Sequence, residues 1–454
     1  MIAVPSASHP RQLIFEDSIV NKTLLAAALV AFLAGEPARA ASDARASIDA
    51  LLPRITTWRR DLHQHPELSN REVRTSKFVA DELRKLGLDV RTGIAKTGVV
   101  GILKGGKPGP KLAIRADMDA LPVTEEVDLP FASKAKGEYM GKTVGVMHAC
   151  GHDAHTAMLL GIASALAAMR KDLPGEVMFV FQPAEEGAPA GEEGGAPLMV
   201  KEGVFEDFRP DAVFGMHVVS GYAVGNVALR AGGEMASSDT FRITVHGRQS
   251  HGAMPWKGVD AVVTAAQIVT SAQTIVSRQL DINKDPAVVT FGVFNGGQRF
   301  NIVSDTAHLE GTVRAFDEGM RKQALDSLKN IAEHVAAANG ATVDAEIPAP
   351  GSNPVNYNDP ALTTRVRASL EAALGKEHVE EAARWTASED FPQLALGVPA
   401  PSVYFFVGST PAGQDPATAP SNHSPKFFLD EGALRVGSEA MLQAALDYLG
   451  RPGH

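Results

Sequence analysis

The sequence predicts an α/β protein: an open sheet flanked by helices, with a reactive site along one sheet edge and an inserted α+β unit. Three observations predict it. The apolar runs 111–119, 177–181 and 212–216 each hand a polar residue of the kind that binds metals to the loop at their C-terminal end, and helical stretches lie between them. After about residue 230 the pattern becomes strand–helix–strand–strand–helix, with a further strand near Val343, which suits an antiparallel sheet. From about residue 348 the α/β character returns. The expected division is 1–40, an export segment with an upstream extension; 41–228 and 346–454, two parts of one main unit; and 229–345, the insertion.

The bulk properties fit such a protein. A length of 454 residues allows about two or three domains. The hydrophobic fraction of 44% is ample for a core, and the net charge of −10 argues against nucleic-acid binding. A single cysteine excludes an intrachain disulfide and marks that thiol as a candidate functional group.

The N-terminus reads as a secretory signal. Asn21-Lys22-Thr23 supplies a short positive region, Leu24 to Ala34 an apolar run, and Ala38-Arg39-Ala40 a small-x-small cleavage site. The apolar run is too short to span a bilayer, so no stable membrane anchor is expected. A surface helix is the competing reading. The residues before Val20 are unusual for a signal, which raises Val20 as an alternative translation start to Met1.

In chain order, residues 43–64 place Ile48, Leu51, Leu52, Ile55, Trp58 and Leu62 on one helical side. His63 and His65, at the Pro66-terminated end, read as structural. Val73 to Leu86 is a second helix stopped at Gly87. Val99 to Leu103 is a strand, followed by a Gly/Pro turn at Gly105 to Pro110. Lys111 to Ile114 then delivers Arg115-Ala116-Asp117-Met118-Asp119-Ala120-Leu121-Pro122. Carboxylates two apart at a strand end project to the same side and can orient a ligating histidine, or simply cap a solvated turn.

Met147-His148-Ala149-Cys150-Gly151-His152-Asp153-Ala154-His155 packs a thiol, three imidazoles and an aspartate into nine residues. A thiolate beside imidazoles suits a borderline divalent metal, and a buried thiol beside surface histidines is the plainer alternative. The helix Thr156 to Met169 follows. Glu176 to Phe181 is an apolar strand running into Gln182-Pro183-Ala184-Glu185-Glu186-Gly187. Adjacent carboxylates after a buried strand are costly without a cation; one can bind metal while its neighbour handles protons. The Gly-rich stretch 187–195 lacks the lysine and spacing of a phosphate loop. Asp211 to Met216 is a strand ending at His217.

In the insertion, Phe241 to His246 alternates like a half-exposed strand, Val259 to Ser277 is helical, Val288 to Phe294 and Ala307 to Phe316 are strands, and Met320 to Asn339 is a helix. His251 sits in a polar Ser-His-Gly-Ala-Met-Pro loop, and Asn301 and Arg314 lie beside strands; by local context all three read as structural or solvated. Asp359 to Leu374 is a helix, Ser388-Glu389-Asp390-Phe391 follows a short polar strand, and Pro401 to Val407 is an apolar strand. Asn422-His423-Ser424-Pro425 supplies a further loop histidine before the closing helix Leu429 to Leu449.

Taken in order, these motifs resemble the M20 metallopeptidase family, specifically its amidohydrolase branch of hippurate hydrolases, N-acyl-amino-acid amidohydrolases and plant hydrolases of auxin–amino-acid conjugates. The similarity runs from about residue 45 to the C-terminus. It implies a metal-dependent exopeptidase-like catalytic domain, with helices around a mixed sheet, carrying an inserted ferredoxin-like dimerisation domain. It implies a site for two divalent ions (zinc, manganese, cobalt or nickel) with Cys150, His152, Glu186, His217 and His423 as ligands and Cys150 bridging. It implies Glu185 as general base, Asp119 as the orienting carboxylate, His251 as an oxyanion donor reaching a neighbouring subunit, and Asn301 and Arg314 as holders of the substrate carboxylate. Asp117 stands where the wider family often has a histidine, and in this branch His152 takes over as ligand.

The expected activity is hydrolysis of the amide in N-acyl amino acids by a periplasmic or secreted homodimer or higher homo-oligomer. A dipeptidase or carboxypeptidase shares the scissile amide and is the runner-up. A cysteine-nucleophile hydrolase would be quenched by a bound metal, and a silent binding protein would be expected to have lost Glu185 or several ligands. If the export signal works, mass spectrometry of the mature protein finds its N-terminus near Ala41; a product retaining Phe15 to Leu33 rejects export.

Overall fold

The structure, a computed structural model, describes residues 43–450. The expected signal segment and the alternative start at Val20 lie outside the described residues. Among the described residues no helix is long and apolar enough to cross a membrane.

An eight-stranded mixed sheet organises the main unit. Its strand order is Asp89–Ile94, Gly98–Lys104, Pro174–Gln182, Lys107–Asp117, Ala212–Ala223, Ser402–Thr410, Val227–Leu229, Val379–Glu381. Lys107–Asp117 pairs in parallel with both Pro174–Gln182 and Ala212–Ala223, which pairs in parallel with Ser402–Thr410. The Asp89–Ile94 and Gly98–Lys104 strands run antiparallel at one edge. The central strands are apolar on both faces because both faces are covered. Leu112, Ile114, Val177 and Phe179 point into one core, with helices 43–64, His152–Ala168, Pro360–Leu374 and Gly432–Gly450. Their neighbours Ala113, Met178 and Val180 point into a second core, with Gly195–Lys201 and Pro392–Gly397.

The strand expected to end at His217 instead runs on to Ala223, because Ser402–Thr410 pairs along it and sets Phe406 opposite His217. His217 is therefore held by a ladder rather than by a loop. The Gly/Pro stretch expected as a turn is also partly strand, since Lys107 to Pro110 begin the Lys107–Asp117 strand.

The insertion forms a separate four-stranded antiparallel sheet in the order Ala287–Gly296, Thr306–Ala315, Asp239–His246, Thr342–Glu346. With helices Ala261–Ala272 and Glu318–Ala338 this is the ferredoxin-like β-α-β-β-α-β arrangement. Phe241, Ile243, Val245, Leu309, Ile268 and Leu328 make its own core. Both helices begin at aspartates that accept backbone N–H groups: Asp260 from Val262 and Val263, and Asp317 from Met320. The helix expected to reach Ser277 ends at Ala272 and gives way to a π-turn, Ile275–Gln279. The unit joins the main sheet where Gly232–Met235 pairs with Asn356–Asn358.

Candidate metal centre

The cluster forms where the C-terminal ends of the parallel strands meet the start of the His152–Ala168 helix. Cys150 and His152 flank Gly151, which begins that helix at a φ of +95°. A Cβ on Gly151 would lie 2.2 Å from Val218 Cγ2, so only glycine lets this turn pack against the strand carrying His217. Glu185 and Glu186 follow Pro174–Gln182 across a turn in which Ala184 has a φ of +52°. Glu72 holds that turn by accepting from Ala184 N at 2.9 Å and from Thr97 Oγ1 at 2.6 Å. His423 itself has a φ of +71°, a backbone cost tolerated where surrounding contacts dictate it. Its N–H donates to the Ala149 carbonyl, while Asn422 donates to the carbonyls of Cys150 and Val218.

Five of the residues singled out in the sequence converge here. Cys150 Sγ lies 3.3 Å from His217 Nε2 and 3.2 Å from His423 Nε2. Glu186 Oε1 lies 3.2 Å from His423 Nε2 and 3.9 Å from His152 Nε2. Cys150 thus belongs to two potential ligand groups, one with His152 and His217 and one with Glu186 and His423, each spanning less than 4.8 Å. Glu185 Oε2 approaches the same His152 nitrogen, at 3.8 Å. Asp119 sits behind the ligands; it meets His152 Nδ1 at 3.3 Å and accepts from Ser69 Oγ at 2.7 Å and from Glu186 N at 3.0 Å.

The donor set fits divalent ions. His152 Nε2 and Glu186 Oε1 are buried and meet no hydrogen-bond partner, which is costly unless something else satisfies them. His217 donates Nδ1–H to the Val218 carbonyl at 2.7 Å, so its Nε2 lone pair faces the Cys150 sulfur. Burial, with His155 packed alongside, holds His217 well below the usual histidine range, keeping that lone pair free. Burial and the carboxylates of Glu186 and Glu185 push the Cys150 thiol well above its usual value, and coordination would remove its proton outright. Burial opposes a charge on His152, yet Asp117, Asp119 and Glu186 push it up to about 10. The cluster has an excess of negative charge, and a proton on His152 answers it when no cation does. These His, Asp, Glu and Cys side chains are clustered as a dinuclear divalent-metal site requires.

Several contributors carried no weight in the sequence. Arg115 is fully buried behind the cluster and donates to Asp117 Oδ2 at 2.6 Å, Glu389 Oε1 at 2.7 Å and Gln182 Oε1 at 2.9 Å. Gln182 and Ala196 N in turn donate to Asp390, and Tyr404 donates to Glu389. Burial first, then Glu389, Glu186 and Asp390, push the Glu185 carboxyl well above the usual range. His155 bridges Asp117, at 2.6 Å, and the backbone N–H of Val218, at 2.8 Å. Arg115 and the Glu389-Asp390 pair stood in quoted motifs; a charge inside a strongly apolar strand was the signal that it needed a partner.

The remaining candidates lie elsewhere. His63 is buried against Asp153 at 2.8 Å and Glu125 at 3.1 Å, and His65 bonds back to the Asp61 carbonyl. His251, Asn301 and Arg314 sit on the inserted unit, and among the described residues none is hydrogen-bonded or ion-paired to the cluster. Ala253 N donates to His251 Nδ1 at 3.0 Å, which leaves the proton of a neutral ring on the exposed Nε2. Asn301 Oδ1 is buried without a partner, and Arg314 reaches the Ser237 carbonyl at 3.4 Å.

Two outcomes follow from this packing. Gly151→Ala should cut bound metal severely, as elemental analysis would show, while far-UV circular dichroism stays near wild type. His148 is buried with both ring nitrogens unpartnered, and burial, only partly offset by Asp153, lowers it to about 4. Between pH 6.5 and 4 the unfolded chain therefore binds a proton that the native ring refuses. Stability should fall with pH across that window, by at most about 1.4 kcal/mol per pH unit from this group. Denaturant titrations of His148→Gln should show a shallower decline.

The comparisons with known proteins agree with this site. The profile of Peptidase family M20/M25/M40 matches residues 113–447. The chain is 39% identical to thermostable carboxypeptidase 2 of Saccharolobus solfataricus over 395 residues, 87% of this chain and 95% of the relative. It is 37% identical to N-acetyl-L-cysteine deacetylase of Bacillus subtilis over 399 residues, 88% and 89% of the two chains. The crystal structure of the Bacillus subtilis YXEP protein, a dinuclear metal binding peptidase from the M20 family, superposes with a TM-score of 0.72 at 34% identity, covering 88% of this chain and 99% of that one. The chain belongs to peptidase family M20/M25/M40 and is a metal-dependent hydrolase of that family.

Proposed function

We propose that this hydrolase cleaves the amide between an acyl group and an amino acid that keeps a free carboxylate. The observation that carries the reading is Glu185, a largely buried carboxylate 3.8 Å from His152 Nε2 and adjacent in sequence to the ligand Glu186, yet outside the two groups that share Cys150. In this reading Cys150, His152, Glu186, His217 and His423 hold two divalent ions, drawn from zinc, manganese, cobalt and nickel. When bound, the ions supply an acidified water and a polarised carbonyl. Glu185 takes a proton from water and passes it to the leaving nitrogen. Asp119 keeps the His152 ring in position. Cys150 serves as a ligand and not as a nucleophile.

The inserted unit supplies the rest. The His251 Nε2–H is a donor for the developing oxyanion, and Arg314 with Asn301 receives the carboxylate of the leaving amino acid. In this reading the working unit is a homodimer in which one copy's tip meets the other's site. Secretion or a periplasmic location follows from the expected signal. A carboxypeptidase reading uses the same atoms, and the name of the Saccharolobus relatives favours it.

Glu185→Gln should lower kcat by at least about a thousandfold with metal content unchanged; a variant with near-normal rates would sink the base assignment. A panel of N-benzoylglycine, N-acetyl amino acids and dipeptides, assayed by released amine, separates the two readings: faster turnover of the dipeptides would favour the carboxypeptidase.

A further inference from the structure

Trp385 stands beside the metal cluster, between the strand Val379–Glu381 and the helix Pro392–Gly397, and is bridged to Met235 on the strand that leads into the inserted unit. Its ring lies 6.4 Å, centroid to centroid, from the imidazole of His217 at an interplanar angle of 82°. On another side it meets Phe406 edge to face at 5.7 Å. Its backbone is stitched to the junction strand: Trp385 N donates to the Glu234 carbonyl at 3.0 Å, and Ala236 N donates to the Trp385 carbonyl at 3.0 Å. The preceding residue, Arg384, pairs with Asp285 and lies over the Phe316 ring at 5.8 Å, both in the inserted unit. The Trp385 backbone is therefore tied to the junction strand, and its neighbour Arg384 to the inserted unit.

It is nonetheless only partly buried. One part of the ring packs into the core that contains Met235 and Phe406, and the rest is open. The other rings around His217 belong to His152 and His155, and the other side chains of the cluster are carboxylates, a thiol and the His423 imidazole. A substrate whose scissile carbonyl reaches this cluster must lay the group attached to that carbonyl on a neighbouring surface. Partly open aromatic surface fixed in orientation offers an apolar group contact at little entropic cost, and it prefers another ring.

We propose that Trp385 is a specificity-determining residue: its ring forms the wall that receives the group on the carbonyl side of the scissile amide, favouring aromatic acyl groups over acetyl. The proposal rests on the amidohydrolase reading above and narrows its substrate class.

The test compares wild type, Trp385→Leu and Trp385→Phe on N-benzoylglycine and N-acetylglycine, with metal content and Tm measured for each. Trp385→Leu should raise KM for N-benzoylglycine about tenfold or more while kcat and the KM for N-acetylglycine stay within about twofold, and Trp385→Phe should restore most of the loss. Equal losses on both substrates, or none on either, overturn the proposal and leave the amidohydrolase reading standing. If wild type cleaves neither substrate but does cleave dipeptides, the amidohydrolase reading fails by itself. The same comparison then runs on Phe-Gly and Ala-Gly, where a loss confined to Phe-Gly upholds the wall and an equal loss overturns it. A readout independent of turnover is the indole itself. In Trp58→Phe/Trp256→Phe protein, Trp385 is the only tryptophan of the original three. Saturable quenching by N-benzoylglycine but not by N-acetylglycine is expected, and emission indifferent to N-benzoylglycine overturns the assignment.

Discussion

The guanidinium of Arg115 is the contact on which the site depends. It emerges from an apolar strand into the protein interior and is shared among Asp117, Glu389 and Gln182. Through Asp117 it backs the imidazoles of His155 and His152, and through Glu389 and Gln182 it anchors the segment that follows Trp385. A buried cation with so many acceptors is stable only as a set; breaking such a pair by deleting one partner typically costs about 3–5 kcal/mol, since the other charge is left stranded. Burial works against its charge, but Glu389 and Asp117 raise its pKa well above the usual arginine value, so it stays charged at any pH the fold survives.

Around that one cation the protein collects more negative charge than it can neutralise. Asp117, Asp119, Glu185, Glu186, Glu389 and Asp390 all face the same interior region. A charge deficit of this kind is unstable as a resting arrangement and is resolved by cations bound at the open ends of the ligands. The raised His152 and the unpartnered Glu186 oxygen are two expressions of the same imbalance. Acidity thus favours cation binding in general, while the mixture of sulfur, nitrogen and oxygen donors bears on which divalent ion suits the site.

The inserted unit has its own core and its own capped helices, so it can present its tip as a rigid object. The tip carries Trp256 and Phe300 at 75% and 93% exposure beside His251 and Asn301. Apolar surface of that kind, next to an orphaned amide oxygen, is what the proposed contact between copies would cover. The connection through Gly232–Met235 and Asn356–Asn358, with Trp385 bridged to it, ties the inserted unit to the segment beside the metal cluster.

Much of this was legible in the amino-acid order. Apolar runs leading to Asp117, to Glu185-Glu186 and to His217 announced strands that hand metal-type residues to one edge, and the change of rhythm near residue 230 announced a second sheet; both follow from side-chain periodicity, which is local. The ligand types were legible too, because thiol, imidazole and carboxylate chemistry belongs to the residue itself. What only the tertiary structure decided is which side chains surround each carboxylate. Glu185 and Glu186 are neighbours in the chain, and they are told apart by Glu389 and His423, which lie more than two hundred residues away. Arg115 looked like one more polar residue at a strand end until the packing surrounded it with acids, and His217 looked like a loop residue until Ser402–Thr410 extended its strand. Charge interactions act through space and depend on what is buried around them, so they become readable only when the chain has closed on itself.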